Sequence, residues 1–259
     1  MEEKKRKKRK KRRKKTDHSF YIIQGLLIIA FVAIIFMFVK SDYAGGIFSL
    51  RSQAIETVRN STIEDMQGQR VGTIYDAQGG VIAELKNERN IRYLTSEEIP
   101  QTVKDAFVSI EDKRFYKHNG VDFLALTRAV TKLINKDAIT QGGSTITQQL
   151  ARNVFLTHEV SWQRKVKEMF TAWEIEKMYS KDQILEFYVN NIFYANNCYG
   201  IEAASQKYFG KPTAECSVSE VAFLCAIPNS PSRFDPLDHK ENTLTRRDVI
   251  LEAMYKNDK

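Results

Sequence analysis

A run of 20 residues without an acidic or basic side chain, FYIIQGLLIIAFVAIIFMFV, covers positions 20–39. At about 1.5 Å per helical residue the run extends about 30 Å, the thickness of the hydrocarbon core of a bilayer. A buried core helix is rarely apolar on every face, and a cleaved signal peptide has a shorter apolar region, whereas this run continues directly into Lys40. The pattern therefore predicts an uncleaved transmembrane helix over residues 20–39.

The next segment, residues 40–94, is predicted to be a connector that contains a β-hairpin. Its first part, residues 41–70, is polar, and we expect it to be partly helical and to hold the outer domain away from the membrane. Residues 71–75 and 81–85 alternate in polarity on either side of the turn sequence DAQGG. Two alternating runs around such a turn are typical of an antiparallel hairpin.

From residue 95 onward the apolar spacing is helical, which predicts a mainly α domain over residues 95–259 with one core. Thr95 begins a TSEE capping pattern, and Asp122 is a candidate cap for a helix ending near residue 134. A stripe at i, i+3, i+4 and i+7 predicts a helix over residues 162–179, and its members are Val166, Met169, Phe170 and Trp173. Further helices are predicted over residues 181–190, 200–208, 217–226 and 244–255.

The formal net charge of +8 lies almost entirely in the N-terminal tail. Residues 1–19 hold 12 basic and 3 acidic side chains, whereas residues 41–259 hold 27 basic and 29 acidic ones. A domain that binds nucleic acid carries its basic residues in the folded region, so that class is not expected. By the positive-inside rule the basic tail is cytoplasmic and residues 41–259 face outward. The tail could also bind anionic lipid or nucleic acid, but a basic tail beside a membrane span more commonly sets the orientation of the helix.

Cysteine and histidine spacing does not predict a metal site or a disulfide framework. The three cysteines, Cys198, Cys216 and Cys225, include no C-x-x-C pair, and the four histidines form no H-E-x-x-H pattern. Cys225 lies in the apolar run VAFLCAI, where a small core residue is the simplest interpretation.

Three short strings contain side chains that could carry chemistry. In EDKRFYKHNG, the carboxylates of Glu111 and Asp112 are followed by two cations and His118, neighbours that could tune one acid for general-base catalysis. For this string alone, a solvated helix end closed by Gly120 is the more common interpretation.

The second string, TQGGSTITQQ followed by LARN, combines two glycines with hydroxyl and amide side chains. Its backbone N–H groups could approach a phosphate at the start of a helix, with Ser144 or Thr145 as the cap. An ordinary loop and cap is the alternative, although Gln148 and Gln149 are unusual in an apolar packing helix. In the third string, RKVKE, Arg164 and Glu168 could simply pair at i, i+4, or the cations could bind phosphate while Glu168 serves as a second acid.

Taken together, these strings resemble the motifs of glycosyltransferase family 51. EDKRFYKHNG, GGSTITQQLARN, RKVKE, KDQILEFYVN and LCAIPNSPSRFDP stand in the family's order, and the resemblance covers about residues 95–255. It implies a membrane-anchored, extracytoplasmic enzyme that polymerises lipid II into glycan strands. It also implies a lysozyme-like, bilobed and mainly helical domain with a small mobile lobe.

The resemblance assigns roles position by position. Glu111 matches the catalytic base that takes the proton of the acceptor hydroxyl, and Glu168 matches a second catalytic glutamate near the donor pyrophosphate or its divalent ion. The matching substrate-binding positions are Asp112, Arg128, Ser144, Gln148, Gln149, Arg152, Arg164 and Lys165. Arg152, Arg164 and Lys165 are expected to neutralise the charge of the pyrophosphate. Arg128 matches another arginine of the cleft, and Ser144 and the glutamines are expected to line the donor site.

The same resemblance implies the partners and the location. Lipid II, the growing glycan strand, the membrane and proteins of cell wall synthesis are the expected partners, and nucleic acid is not one. No tightly bound cofactor is expected beyond a divalent ion, Mg²⁺ or Mn²⁺. The protein is expected in the cell membrane as a single-pass protein with its N-terminus in the cytoplasm and its catalytic domain outside.

Two positions depart from the family pattern. Val160 stands where many relatives carry a basic residue, so one pyrophosphate contact is either missing or replaced by His158. Residues 193–199 lack a glycine that commonly follows the fourth motif. The hairpin resembles the strands that precede the catalytic domain of class A penicillin-binding proteins, yet S-x-x-K, S-x-N and K-T-G motifs are missing. We therefore expect a glycosyltransferase segment cut from, or descended from, a bifunctional protein.

Two other classes of function remain as alternatives. A lysozyme-like hydrolase would also act on peptidoglycan with two carboxylates, but it needs neither a basic pyrophosphate site nor a membrane anchor. A catalytically silent membrane scaffold is the other alternative.

Overall fold

The computed structural model of the chain describes residues 42–68, 72–75, 81–85, 93–134, 143–156, 159 and 161–259. The predicted basic tail, residues 1–19, and the predicted transmembrane helix, residues 20–39, lie outside these ranges. Within them, no helix combines the length and the apolar character that crossing a membrane requires.

The described residues are mainly helical, as the spacing from residue 95 onward predicts. The helices are α1 (Asp42–Arg59), α2 (Ile63–Met66), α3 (Gln101–Glu111), α4 (Phe123–Ile134), α5 (Ile146–Phe155), α6 (Trp162–Met178), α7 (Lys181–Asn191), α8 (Ile201–Phe209), α9 (Val218–Ala226) and α10 (Lys240–Lys256). Short 3₁₀ turns cover Phe115–Lys117, Thr213–Glu215 and Ile227–Asn229.

A hairpin lies between α2 and α3 in the chain. Strands β1 (Gly72–Tyr75) and β2 (Val81–Leu85) pair antiparallel, with Gly72 opposite Leu85 and Tyr75 opposite Val81. The register shifts between Ile74 and Tyr75, which is an irregularity of the bulge type. The two strands lie within one residue of the alternating runs in the sequence.

Side chains that precede the helices fix where several of them begin. Thr145, Ser180 and Ser217 each form a capping box at the start of α5, α7 and α9, and Ser161 caps α6. Asp122 caps α4 as predicted, because its Oδ1 accepts hydrogen bonds from the backbone N–H groups of Leu124 and Ala125.

The capping prediction at Thr95 was wrong in its position. Thr95 forms a separate turn, in which its carbonyl accepts from the N–H groups of Glu98 and Ile99. The helix begins at Gln101, after Pro100, which makes no side-chain cap. A proline at the start of a helix loses no hydrogen bond of the helix, since the first N–H groups have no partner within it.

One continuous hydrophobic core joins the helices of the domain. Helix α3 packs against α9 and α10, and α5 packs against α6 and α7. The largest fully buried side chains include Phe107, Phe115, Tyr188 and Tyr194. Cys225 is buried among them as a small core residue, and the three cysteines are all free.

The connector contributes to this core. Residues 50–259 form one compact unit. Val58 on α1 and Met66 on α2 are fully buried within the core of the larger unit. Arg59 also pairs with Glu174 of α6 at 3.0 Å, and the Asn191 side chain donates to the carbonyl of Met66 at 2.7 Å. Residues 50–68 therefore pack as part of the same helical domain.

The buried face of α6 differs from the predicted apolar stripe. Val166, Met169, Phe170 and Trp173 are only partly buried, whereas Glu168, Thr171, Ala172 and Ile175 face the core. Phe170 and Phe123 flank Trp173, with ring centroids 5.5 and 6.0 Å from it. A pattern of apolar residues could not identify the buried face because a paired glutamate occupies it.

Candidate active site

Glu111 is the last residue of α3, and its side chain is 13% exposed. Hydrogen-bond donors face both of its oxygens. The amide nitrogen Nε2 of Gln149 lies 2.9 Å from Oε2, and Nη2 of Arg246 lies 3.4 Å from Oε1. Donors on both sides hold the carboxylate in one orientation.

Asp112, the neighbouring acid, is engaged in joining two helices. Its carboxylate contacts Nε2 of His118 at 2.9 and 3.0 Å, and Oδ2 accepts from the backbone N–H of Ile146 at 3.1 Å. Asp112 therefore ties the end of α3 to the first turn of α5. The histidine predicted to tune one acid of the string contacts Asp112 rather than Glu111.

The cation Arg114 of the same string also faces a different acid. Its Nε lies 2.9 Å from Oδ2 of Asp122. Burial, the largest single influence, raises the pKa of Asp122. The N–H groups that Asp122 caps and the charge of Arg114 outweigh burial, so this pKa lies below its usual value.

Gly120 closes the loop between these acids and α4. Its φ of +87° is left-handed, and an added Cβ would lie 2.8 Å from the backbone of Ala172 on α6. Its carbonyl accepts a hydrogen bond from the hydroxyl of Thr145. The glycine therefore allows the loop to approach both α6 and the start of α5.

The two adjacent glutamines at the start of α5 have different environments. Gln148 is 2% exposed, and its side chain accepts from the N–H of Thr145 to complete the capping box. Gln149 is turned toward Glu111. The described contacts thus bring Gln149 to the candidate base and use Gln148 as a helix cap.

Glu168 is fully buried on α6 between two cations of the same helix. Its Oε2 accepts from Arg164 at 2.7 Å, and Oε1 contacts the ammonium group of Lys165. The same ammonium donates to the hydroxyl of Ser144 at 2.8 Å. Three predicted site residues from α6 and a fourth from the loop before α5 therefore form one cluster.

A cleft beside Glu111 extends to Ser144, which contacts Lys165 of this cluster. Glu111 and Asp112 line one side, Arg128 of α4 lines another, and Ser144 lines the side that leads to Lys165. Nε of Arg128 donates to the carbonyl of Leu124 at 3.2 Å, which holds its guanidinium near the helix. Carboxylates and cations therefore face the same polar cleft.

Arg152 lies on α5, partly buried, one turn after Gln148. Its side chain makes no hydrogen bond or ion pair with any residue in the described ranges. A guanidinium without an acidic partner there is able to bind an anion. His158 and Val160, where the sequence departs from the family pattern, lie outside the described residues.

The residues around Glu168 do not fit a divalent ion bound directly to this carboxylate. Both of its oxygens already contact cations, which would repel a metal ion. Within the described part of the chain, no group of three or more histidine, cysteine, aspartate or glutamate side chains could hold a metal.

Two contacts of the site were not predicted from the sequence. Arg246 reaches Glu111 from α10, and the hydroxyl of Tyr188 on α7 donates to Oε1 of Gln149 at 3.1 Å. The signals were indirect. Arg246 shares a helix face with the buried Thr243 and Ile250 and has no acid three or four residues away, and a buried tyrosine needs a partner for its hydroxyl.

Residues 193–199, which lack the expected glycine, turn through three other residues in the left-handed region. Ala195, Asn196 and Asn197 all have φ between 47° and 63°, the left-handed region. Asparagine tolerates this conformation better than most residues, and the side chain of Asn196 donates to Asp235 at 2.8 Å. In this chain Ala195 and the two asparagines thus form the turn.

Comparison with known proteins identifies the family. The family model named Transglycosylase matches residues 78–255. Penicillin-binding protein 4 of Bacillus subtilis (strain 168) is 37% identical over 229 residues, 87% of this chain and 37% of that protein. Penicillin-binding protein 1F of the same organism is 45% identical over 181 residues, 70% and 25% of the two chains. Penicillin-binding protein 1A of Escherichia coli (strain K12) is 41% identical over 194 residues, 75% and 23% of the two chains.

The chain spans between about a quarter and somewhat over a third of the length of these relatives. The crystal structure of penicillin-binding protein 1A from Haemophilus influenzae aligns with 72% of this chain and 18% of that one, at 24% identity and a TM-score of 0.35. This similarity is too low to define the fold. The family match covers well over half of the chain and confirms the resemblance carried by the five motifs: the chain belongs to the transglycosylase family, glycosyltransferase family 51, and resembles the glycosyltransferase part of class A penicillin-binding proteins.

Proposed function

We propose that the protein is a membrane-anchored peptidoglycan glycosyltransferase that polymerises lipid II into β-1,4-linked glycan strands. The observation that carries the proposal is the position of Glu111, a carboxylate held by two donors at the side of a cleft that leads to a cluster of cations. Membership of the transglycosylase family supports the same reaction class.

Glu111 acts as the general base. It accepts the proton of the 4-hydroxyl of the acceptor GlcNAc while that oxygen attacks the anomeric carbon of the donor MurNAc. The bond from this carbon to the pyrophosphate breaks in the same displacement, so the α linkage of the donor becomes a β linkage in the product. Gln149 and Arg246 keep the carboxylate aimed at the cleft.

The leaving group is undecaprenyl pyrophosphate, which needs preorganised positive charge as its bond to the sugar breaks. Lys165, Arg164 and Arg152 supply this charge. Glu168 holds two of these cations in place, and the trio of Glu168, Arg164 and Lys165 keeps an excess of positive charge. In this arrangement the second glutamate positions the cations rather than exchanging a proton.

The lipid tail of the donor explains the anchor. A polyprenyl chain stays in the bilayer, so an enzyme that acts on its head group benefits from being held at the membrane surface. The apolar run at residues 20–39 and the basic tail before it support a single-pass protein with a cytoplasmic N-terminus and an outer catalytic domain.

Purified full-length protein in detergent or liposomes tests the proposal with fluorescent lipid II as substrate. The wild type is expected to form polymer and to release undecaprenyl pyrophosphate, and Glu111→Gln is expected to abolish both. Glu97→Gln, at an exposed position before α3, is the matched control and is expected to polymerise normally. Full polymerisation by the Glu111 variant would contradict the assignment.

The same assay separates a transferase from a lysozyme-like hydrolase. A hydrolase shortens preformed glycan strands and releases no undecaprenyl pyrophosphate, whereas the proposed enzyme lengthens strands and releases one undecaprenyl pyrophosphate for each bond formed.

A further inference from the structure

Two successive hydrogen bonds lead from the core of the domain to Glu111. The hydroxyl of Tyr188 donates to Oε1 of Gln149 at 3.1 Å, and Nε2 of the same amide donates to Oε2 of Glu111 at 2.9 Å. The three side chains belong to α7, α5 and α3, so the connection crosses three helices.

Tyr188 is held rigidly at the start of this connection. Its side chain is 1% exposed, and its ring packs edge-on against Phe107 with centroids 5.3 Å apart. Phe107 lies one turn before Glu111 on α3. Packing against the helix that carries Glu111 therefore fixes the distance between the tyrosine hydroxyl and the site.

The direction of the first hydrogen bond decides the direction of the second. The two ends of a glutamine amide have nearly the same shape, but one end accepts hydrogen bonds and the other donates them. A hydroxyl that donates to Oε1 turns the NH₂ group toward Glu111. The opposite orientation would place the amide oxygen against a carboxylate oxygen, where the two would repel.

The phenol is suited to act as a donor at any pH at which the enzyme works. Burial raises the pKa of Tyr188 well above its usual value, and the negative charge of Glu111 raises it further. Arg152 acts in the opposite direction and is outweighed. The proton therefore stays on the tyrosine.

We propose that Tyr188 is a positioning residue, which acts through Gln149 to hold the carboxylate of Glu111 in its catalytic orientation. Tyr188 does not touch substrate. The effect on kcat rests on the proposed function. The energetic coupling between Tyr188 and Gln149 rests on the hydrogen-bond geometry alone.

Tyr188→Phe removes the hydroxyl and keeps the ring, and Tyr194→Phe is its matched control. Tyr194 is also fully buried, but its hydroxyl has no hydrogen-bond partner among the described residues. We expect Tyr188→Phe to lower kcat for lipid II polymerisation by about tenfold with KM within about twofold. Tyr194→Phe should leave both within about twofold. Equal kcat values for the two variants would overturn the proposal.

A double-mutant cycle tests whether Tyr188 acts through Gln149. Gln149→Met keeps the length of the side chain and removes the amide, so it should lower kcat at least as much as Tyr188→Phe. Adding Tyr188→Phe to Gln149→Met should then change kcat by less than about twofold, since the connection is already broken. Losses in kcat that multiply in the double variant would overturn the proposal. A Gln149→Met variant with wild-type kcat would also overturn it, and this measurement does not depend on whether Tyr188→Phe folds.

Thermal unfolding gives the same cycle without an activity measurement. Tyr188→Phe should lower the melting temperature in the wild-type background and have little further effect in the Gln149→Met background, whereas fully additive shifts would contradict the contact. An inactive wild type would refute the proposed function, and the unfolding cycle would still decide whether Tyr188 and Gln149 are coupled. An active wild type with additive effects would refute the positioning role alone.

Discussion

Nη2 of Arg246 lies 3.4 Å from Oε1 of Glu111, although 135 residues separate the two in the sequence. The guanidinium is 17% exposed and lies over the ring of Phe234, 5.3 Å from its centroid. The last helix of the chain thus reaches the residue that ends α3, and α3 packs against that helix along its length. A charge held between a carboxylate and an aromatic face has little freedom to move.

Removal of Arg246 is expected to lower the rate of polymerisation. Arg246→Ala leaves Oε1 of Glu111 without its donor, so we expect kcat to fall by about ten- to a hundredfold. Arg246→Lys keeps the charge without the planar geometry and should retain more activity than the alanine variant. Steady-state kinetics with fluorescent lipid II measures both effects.

The neighbouring residue supplies the control for Arg246. Arg247 contacts Asp248 on the same helix and makes no described contact with Glu111. Arg247→Ala should therefore keep kcat within about twofold of the wild type. If the two alanine variants lost activity equally, the effect would belong to α10 as a whole and not to the contact with Glu111.

Lys165→Ala is expected to weaken binding of the donor or of a moenomycin-like phosphoglycolipid. The ammonium contacts Ser144 and Glu168 and is 37% exposed toward solvent, so it can also reach a phosphate. Loss of one charge-assisted contact should lower affinity by about tenfold, measured by titration with a labelled ligand.

Lys177→Ala is the control for this titration. Lys177 lies on the same helix, is 61% exposed and pairs with Glu174 away from the described cleft. Its variant should bind with unchanged affinity. Equal affinity of the Lys165 variant and the wild type would remove Lys165 from the binding site.

Local features of the fold were predictable from the sequence, whereas contacts between distant helices were not. The helix predicted over residues 181–190 is Lys181–Asn191, and the one predicted over 217–226 is Val218–Ala226. Caps and apolar spacing are local signals, so one sequence contains them. The contact of Arg246 with Glu111 depends on how α10 packs against α3, which no short pattern encodes.

The same holds for the predicted site, whose residues could be identified from local motifs but whose contacts could not. The motif strings contain Glu111, Gln149 and Lys165, and the structure brings each of them to the cleft or to the cluster beside it. The sequence could not tell Gln148 from Gln149, because a step of one residue on a helix turns the side chain by about 100°. Only the packed helices show which of the two faces the candidate base.

Glu168→Gln is expected to destabilise the folded state. The carboxylate is fully buried, and its loss would leave Arg164 and Lys165 facing each other without a counter-charge. Because the two cations are partly exposed, we expect a loss of roughly 1 to 3 kcal/mol, less than for a wholly buried pair. Glu252→Gln, which breaks an exposed pair with Lys256, should cost less than about 0.5 kcal/mol in the same denaturant titration.

Stability should also depend on pH through Asp122. The N–H groups of Leu124 and Ala125 and the charge of Arg114 lower its pKa in the folded state despite burial. A carboxyl group whose pKa is lower in the folded state stabilises the fold above its unfolded pKa, near 4. This contribution is lost as the pH falls through the lower, folded value. We expect Asp122→Ala to cost about 1 kcal/mol at pH 7, the usual value of a helix cap.

The difference in unfolding free energy between the wild type and Asp122→Ala tests this argument more sharply than the stability of either protein alone. Denaturant titrations from pH 7 to pH 2 should show a constant difference down to about pH 4, followed by a steady decrease as Asp122 becomes protonated in both states. Other acids titrate in the same range, but they titrate in both proteins and cancel in the difference. A difference in unfolding free energy that stayed constant to pH 2 would mean that the cap works without its charge. A difference that grew in acid would contradict the direction of the pKa shift.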